Sequence, residues 1–211
     1  MTDETLFNFL NDNIINLVLK KLYFNMQKCN KCNLGTITIN CLNHEEDSGK
    51  LPGFGDCNSK ILFIAQQPSY FRKGFKVFGS PSTANRTDLY FETGLKSLGL
   101  KRNDVFVTNL IKCSSYKNEL ICNNTLDCCP AYWLNTEINI INPKVIVAVG
   151  KIASDHLGAI RGKLRKYNDT IKITSIYHPS YVVRGGMSIE NYKKEFIKLK
   201  EILNDEGIIK K

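Results

Sequence analysis

Residues 145–150 read Val145-Ile146-Val147-Ala148-Val149-Gly150, five apolar residues closed by a glycine. A strand with one face in water places polar residues at every second position. This run has none, so both of its faces are buried. Such strands lie inside parallel sheets covered by helices. Ile61-Leu62-Phe63-Ile64-Ala65 repeats the pattern and ends in Gln66-Gln67-Pro68-Ser69. Two further strands are expected at 105–109 and 171–176. Helical patterns separate the strands. One covers 4–27, with Leu6, Phe9, Leu10, Ile14, Leu17, Val18 and Leu22 as its apolar face. Others are expected at 87–98, stopped by Gly99, at 130–141 carrying Trp133 and Leu134, from Lys151, and at 190–203. The alternation predicts an α/β fold, a three-layer α/β/α sandwich around a central, mainly parallel four-stranded sheet. Ligands of such sheets bind beyond the C-terminal strand ends. Here those ends are Gln66–Ser69, Asn109, Gly150 and His178, which places them in one crevice.

With 211 residues, no internal repeat and no linker rich in Pro, Gly and Ser, one domain spanning 1–211 is expected. It comprises a helical N-terminal segment (1–28) and a long irregular loop at about 33–59 that carries an insertion. Hydrophobic content of 43% and charged content of 23% fit a globular protein. No apolar run reaches the roughly 18 residues of a membrane helix, and Asp3 and Glu4 do not suit a signal peptide. An intracellular monomer is expected, cytoplasmic and nucleoid-associated if the source is prokaryotic. The formal charge of +9 favours a polyanionic partner, although charge alone does not distinguish DNA binding from plain basicity.

Eight cysteines stand at 29, 32, 41, 57, 113, 122, 128 and 129. The chain is long for a disulfide scaffold, so metal ligation explains at least four of them better. Cys29 and Cys32 form a CxxC, with Cys113 and Cys129 far along the chain. A compact zinc ribbon prefers two close pairs. An iron–sulfur cluster needs four thiolates and tolerates long spacers. Zinc remains the alternative. Cys122 and Cys128 compete for the fourth position, and Cys41 and Cys57 read as ordinary thiols.

Several segments, in this order, resemble the iron–sulfur uracil-DNA glycosylases usually called family 4. The opening CxxC with a nearby leucine is Cys29-Asn30-Lys31-Cys32-Asn33-Leu34. The glycine-rich segment before the first strand is Gly53-Phe54-Gly55-Asp56. The strand then enters a loop similar to Ala65-Gln66-Gln67-Pro68-Ser69, and Val77-Phe78-Gly79 follows. Thr108-Asn109-Leu110-Ile111-Lys112-Cys113 matches the family's Thr-Asn-x-x-Lys-Cys. Cys129 with Trp133, the 140–150 strand segment, and His178-Pro179-Ser180 with Arg184 complete the likeness, which spans about 22–203.

The resemblance implies a DNA glycosylase that hydrolyses the N-glycosidic bond of a flipped-out uracil and leaves an abasic site, as in base excision repair. It implies a 4Fe-4S cluster on Cys29, Cys32, Cys113 and Cys129 with a structural role, and single- or double-stranded DNA as partner. Asn109 at a strand end offers an amide that fits uracil O4 and N3–H and rejects cytosine; a simple strand cap is the other reading. His178 donates to O2 as the base leaves, where an isolated histidine is ordinarily a polar surface residue. Phe78, or else Phe75, stacks on the base or merely packs under its loop. Gln66, Pro68, Ser69 and Ser180 line the base and phosphates, and Arg184 with the 181–186 loop braces the minor groove or stays solvated.

The first motif departs from the family. Gln66 and Gln67 stand where a water-positioning carboxylate is expected, and 70–79 contains no Asp or Glu. An insertion follows at about 80–86. Gln67, Asp88 and Glu92 are candidates to position water. The alternatives to uracil excision are excision of a modified or bulkier pyrimidine in foreign DNA, or DNA binding with weak catalysis. A zinc protein with no DNA role is the remaining reading.

Overall fold

Ile61–Ala65 (β2) lies near the middle of the sheet, and the chain departs from it to both sides. The computed structural model describes residues 3–32, 50–68, 86–114 and 123–209. Phe54–Gly55 is β1, Phe106–Asn109 β3, Val145–Val149 β4, Arg165–Lys166 β5 and Lys172–Ile176 β6. The sheet order is β1-β3-β2-β4-β6-β5. The four long strands are mutually parallel, with Ala65 beside Asn109, Ile64 beside Ala148, and Val149 beside Ile176. β1 and β5 are short antiparallel additions at the two edges.

All residues of β2 and β4 are buried, as their unbroken apolar runs require. Alternate side chains enter two cores. Ile61, Phe63, Val145 and Val147 share one with Phe91, Leu95, Tyr192 and Phe196. Leu62, Ile64, Ile146 and Ala148 share the other with Leu134, Ile138 and Leu19. The first is covered by α2 (Arg86–Leu98) and the last long helix (Ile189–Asp205). The second is covered by α1 (Asp3–Gln27) and the 123–141 helical segment. Phe63 and Phe91 meet edge to face at 5.2 Å, and Tyr192 meets Phe196 likewise at 5.2 Å. Gly94, inside α2, admits the Phe196 ring: a Cβ there would lie 2.3 Å from it.

The sheet has six strands where four were expected, because β1 and β5 are two residues long and show no periodicity. β1 lies inside the segment expected to be irregular; 33–49 lies outside the described residues. The 130–141 helix begins earlier, with α3 at Asn123–Cys129, and continues through a widened turn at Pro130–Leu134 into α4, Asn135–Ile141. Pro130 has no N–H, and the Asn135 N–H instead reaches five residues back to the Pro130 carbonyl. Proline read as a start is thus an interior step.

The packed face of α1 also differs. Ile14, Leu17 and Val18 are exposed, while Leu19 and Met26 are buried, with Ile15, Leu22 and Tyr23 packed beside them. The helix is apolar on several sides, so periodicity did not choose a face. The buried polar partner of Tyr23, described below, does. No helix among the described residues is long and apolar enough to cross a membrane.

Candidate active site

The C-terminal strand ends form one rim, as the sequence predicts. The Leu110 N–H donates to Ala65 O (2.9 Å) and the Ile111 N–H to Gln66 O (3.0 Å), so the turn after β2 is tied to the exit of β3. Gln66 and Gln67 are half-buried and Pro68 is buried. Ser69, Phe75 and Phe78 lie outside the described residues, as does the 80–85 part of the insertion.

Asn109 ends β3 with no exposed surface. Neither its Oδ1 nor its Nδ2 has a hydrogen-bond partner among the described residues. A strand-capping side chain would be bonded to backbone, and among the described residues Asn109 makes no such bond. Leaving a buried amide without partners costs about 1–3 kcal/mol per group, and such a group in a native protein calls for a role.

His178 follows β6. The Gly150 N–H donates to Ile176 O (2.9 Å), which sets the end of β4 against the strand leading to the histidine. Gly150 has φ 88°, and a Cβ there would lie 2.9 Å from His178 Cβ. Glycine therefore permits both the turn and the close approach. His178 Nδ1 accepts the Ser180 backbone N–H (3.1 Å) and lies 2.7 Å from Ser180 Oγ. An accepting Nδ1 is unprotonated, so the neutral ring carries its proton on Nε2. Burial, and secondarily the charge of Arg184, pushes the pKa down to about 4. The imidazole is neutral at physiological pH.

Ser180 opens a one-turn helix, Ser180–Val183, in the segment expected to be a loop, and its hydroxyl is turned toward His178. Arg184 is exposed just beyond, its N–H bonded to Ser180 O. Beside them, Tyr177 and Tyr181 stack with centroids 5.1 Å apart, and the Arg161 guanidinium lies 3.8 Å from the Tyr177 ring. The sequence reading missed this stack. Its signal was two tyrosines four residues apart around His-Pro-Ser. Of the other candidate carboxylates, Asp88 is buried, and both Asp88 and Glu92 act on the charge of Arg102, in the short 3-10 turn before β3. Gln67 remains the candidate on the rim itself.

A second polar assembly was not anticipated. Lys112 Nζ lies 2.5 Å from Glu137 Oε2 and donates to Thr108 Oγ1, and Tyr23 OH donates to Glu137 Oε1. The Gly53 N–H also reaches Oε1 (3.3 Å). Lys112 and Glu137 are almost wholly buried. The network joins α1, the 50s segment, the exit of β3 and α4. Burial, then Glu137, pushes the Tyr23 hydroxyl far above its ordinary value, so it stays a donor.

Beside it lies a cavity lined by Cys29, Cys32, Cys113, Cys128 and Cys129, with Met26, Lys31, Lys50, Lys112 and Trp133. The six described cysteines, Cys57 included, form no disulfide with one another. Among the described residues, no three His, Cys, Asp or Glu side chains are gathered tightly enough to hold a single metal ion. Five thiols around one cavity are a donor set whose chemistry fits a thiolate-ligated metal group. Two N–H groups already point at sulfur: Lys112 N to Cys129 Sγ (3.3 Å) and Trp133 Nε1 to Cys29 Sγ (3.2 Å). Such hydrogen bonds accompany thiolate ligation. Cys129 is the buried member of the adjacent pair, whereas Cys128 Sγ bonds the Lys31 carbonyl. Burial pushes the Cys113 thiol up to about 12 and Cys129 up to about 11, so metal binding there displaces protons.

A family model described as the Uracil DNA glycosylase superfamily matches residues 52–203. A Type-4 uracil-DNA glycosylase of Archaeoglobus fulgidus is 26% identical over 191 residues, covering 84% of this chain and 89% of the relative. One from Saccharolobus solfataricus is 27% identical over 197 residues, covering 87% and 85%. A Type-5 uracil-DNA glycosylase of Pyrobaculum aerophilum is 26% identical over 161 residues, covering 66% and 70%.

Proposed function

The chain belongs to the uracil-DNA glycosylase superfamily, and from that premise we propose that it hydrolyses the N-glycosidic bond of uracil in DNA, leaving an abasic site for base excision repair. The observation that carries the reading is Asn109, a buried amide at a strand end with both polar atoms unbonded among the described residues. A uracil edge meets both. Nδ2–H donates to O4, and Oδ1 accepts N3–H. Cytosine presents a donor at C4 and an acceptor at N3, which reverses both contacts and leaves buried groups unpaired.

His178 stands on the same rim, with β2 and β4 between its strand and that of Asn109. Its neutral Nε2–H donates to uracil O2. As the bond from the deoxyribose C1′ to N1 breaks, its electron pair moves onto the base and negative charge gathers at O2. A positioned donor there contributes about 3–4 kcal/mol to the transition state. Water then adds to C1′. We assign its orientation to Gln67, whose amide accepts a hydrogen bond from the water but does not take its proton; that proton passes to the departing uracil anion or to solvent, and turnover is expected to be modest. Pro68 lines the base side. Gln66, Ser180 and Arg184 face the flanking backbone of single- or double-stranded DNA, held in part by the chain's positive charge.

Cys29, Cys32, Cys113 and Cys129 would hold a 4Fe-4S cluster, whose contribution when bound is to join the end of α1 to the 113–129 segment. The Lys112–Glu137 network packs against that junction and leads through Thr108 to Asn109.

The test is excision from oligonucleotides carrying one uracil, cytosine, or a hydroxymethylated or glucosylated pyrimidine, with alkali cleavage reporting abasic sites. Cleavage at uracil and not at cytosine is expected. The missing acid in 66–79 favours one second reading, altered base choice; cleavage confined to a modified pyrimidine would replace uracil with that substrate. Tight DNA binding with no abasic product from any oligonucleotide would remove the enzymatic reading.

A further inference from the structure

Lys50 takes no part in the proposed reaction, yet it is among the most deeply buried side chains, at 2% exposure. Its Nζ donates to Cys29 O (2.6 Å) and to Gln27 O (3.0 Å). Gln27 is the last residue of α1, so these are the carbonyls of a helix end, which carry partial negative charge. The backbone of Lys50 is fixed as well. Gln27 Nε2 donates to Lys50 O (3.0 Å), Lys50 pairs with Cys113 in an isolated antiparallel bridge, and the Leu51 N–H donates to Lys112 O (2.8 Å). One residue thus touches both the CxxC arm and the Cys113 arm. It also lines the thiol cavity, where Cys113, Cys29 and Cys32 all lie close enough to act on its charge.

Burying an ammonium is costly unless negative charge surrounds it. Four thiolates outweigh the positive charge of an iron–sulfur core and leave a net negative group in a poorly solvated site. The second buried lysine of the cavity, Lys112, is engaged by Glu137. Lys50 instead presents its ammonium to the cysteine arms. We infer that Lys50 is the counter-charge of the cluster: it stabilises the more negative, reduced state and thereby raises the reduction potential, while clamping the two ligand-bearing segments together. Net charge and hydrogen bonding near the sulfurs are among the levers that set such potentials. The inference rests on the iron–sulfur reading given above.

The experiment compares wild type with Lys50→Gln and Lys50→Arg. Gln keeps a donor for the carbonyls without the charge, and Arg keeps the charge. Iron and acid-labile sulfide are measured first. The potential of the loaded fraction is then read by redox titration followed by electron paramagnetic resonance. Lys50→Gln should shift the potential to more negative values and Lys50→Arg should stay close to wild type. A lysine that only braces the backbone would lower cluster occupancy in Lys50→Gln and leave the potential of the remaining clusters unchanged; that result overturns the inference and leaves the iron–sulfur reading standing. If Lys50→Gln fails to accumulate, Lys50→Met is read in its place against the same two outcomes. A wild type loaded with zinc and lacking sulfide would overturn both.

Discussion

Ser180 fixes the tautomer of His178, because its backbone N–H can only meet an unprotonated Nδ1. The sign of the pH effect follows. The folded pKa is about 4, below the ordinary 6.5. Below pH 6.5 the unfolded chain takes up a proton that the folded chain refuses until about pH 4, so stability falls as pH drops through that window. Melting followed from pH 7 to 4 should show a component in wild type that is absent in His178→Gln. Asn109 gives the complementary case. Its amide is buried without partners among the described residues, so Asn109→Leu should leave stability unchanged or raise it by up to about 1–3 kcal/mol, while uracil excision falls by roughly 10²–10³-fold. Melting and single-turnover excision on the same variant check both halves. The strand-end positions of both residues were legible in the sequence, because each comes at the close of a largely apolar run. The Arg161–Tyr177–Tyr181 stack was not legible, because Arg161 comes from a distant segment.

Among elements, the turn after β4 bears most directly on the site. Gly150 at φ 88° lies close under His178, so Gly150→Ala strains the backbone by about 1–3 kcal/mol and pushes the histidine outward. Displacement by about 1 Å can cost 10²-fold in rate. Excision should fall by about that factor with the cluster absorbance retained. The Lys112–Glu137 pair joins elements rather than catalysing. Glu137→Gln leaves a buried ammonium uncompensated and should destabilise by about 3–5 kcal/mol, whereas the double substitution Lys112→Met with Glu137→Gln should lose less than the two singles combined. Denaturant melts of the three variants check this. The long elements were legible from period alone, as in Ile61–Ala65 and Val145–Val149. The edge strands were not, since two residues carry no period. The helix beginning at Asn123 was masked by Pro130, whose missing N–H is accommodated by a five-residue step. Glu137 carried no distinguishing signal in the sequence, and only its long-range pairing with Lys112 reveals why it is buried.

For the molecule as a whole, the sheet brings Asn109 and His178 to one rim and the cysteine cavity to the flank of the β3 exit. The order of strands explains this division. The chain leaves β2 for β3 on one side and returns to β4 on the other, and the crevice opens at that switch. The fold was legible because burial on both faces of a strand admits few architectures. The loss of the expected carboxylate was legible too, but its replacement was not, because water orientation depends on side-chain placement rather than residue type. The most direct test is single-turnover excision of uracil from a defined oligonucleotide by wild type and by His178→Ala, each with its iron content measured. Alkali-labile product from wild type, reduced by orders of magnitude in His178→Ala at equal cluster content, is the predicted result. Equal excision by the two proteins, or none by a fully loaded wild type, would contradict the assignment of this rim as a uracil-excising site.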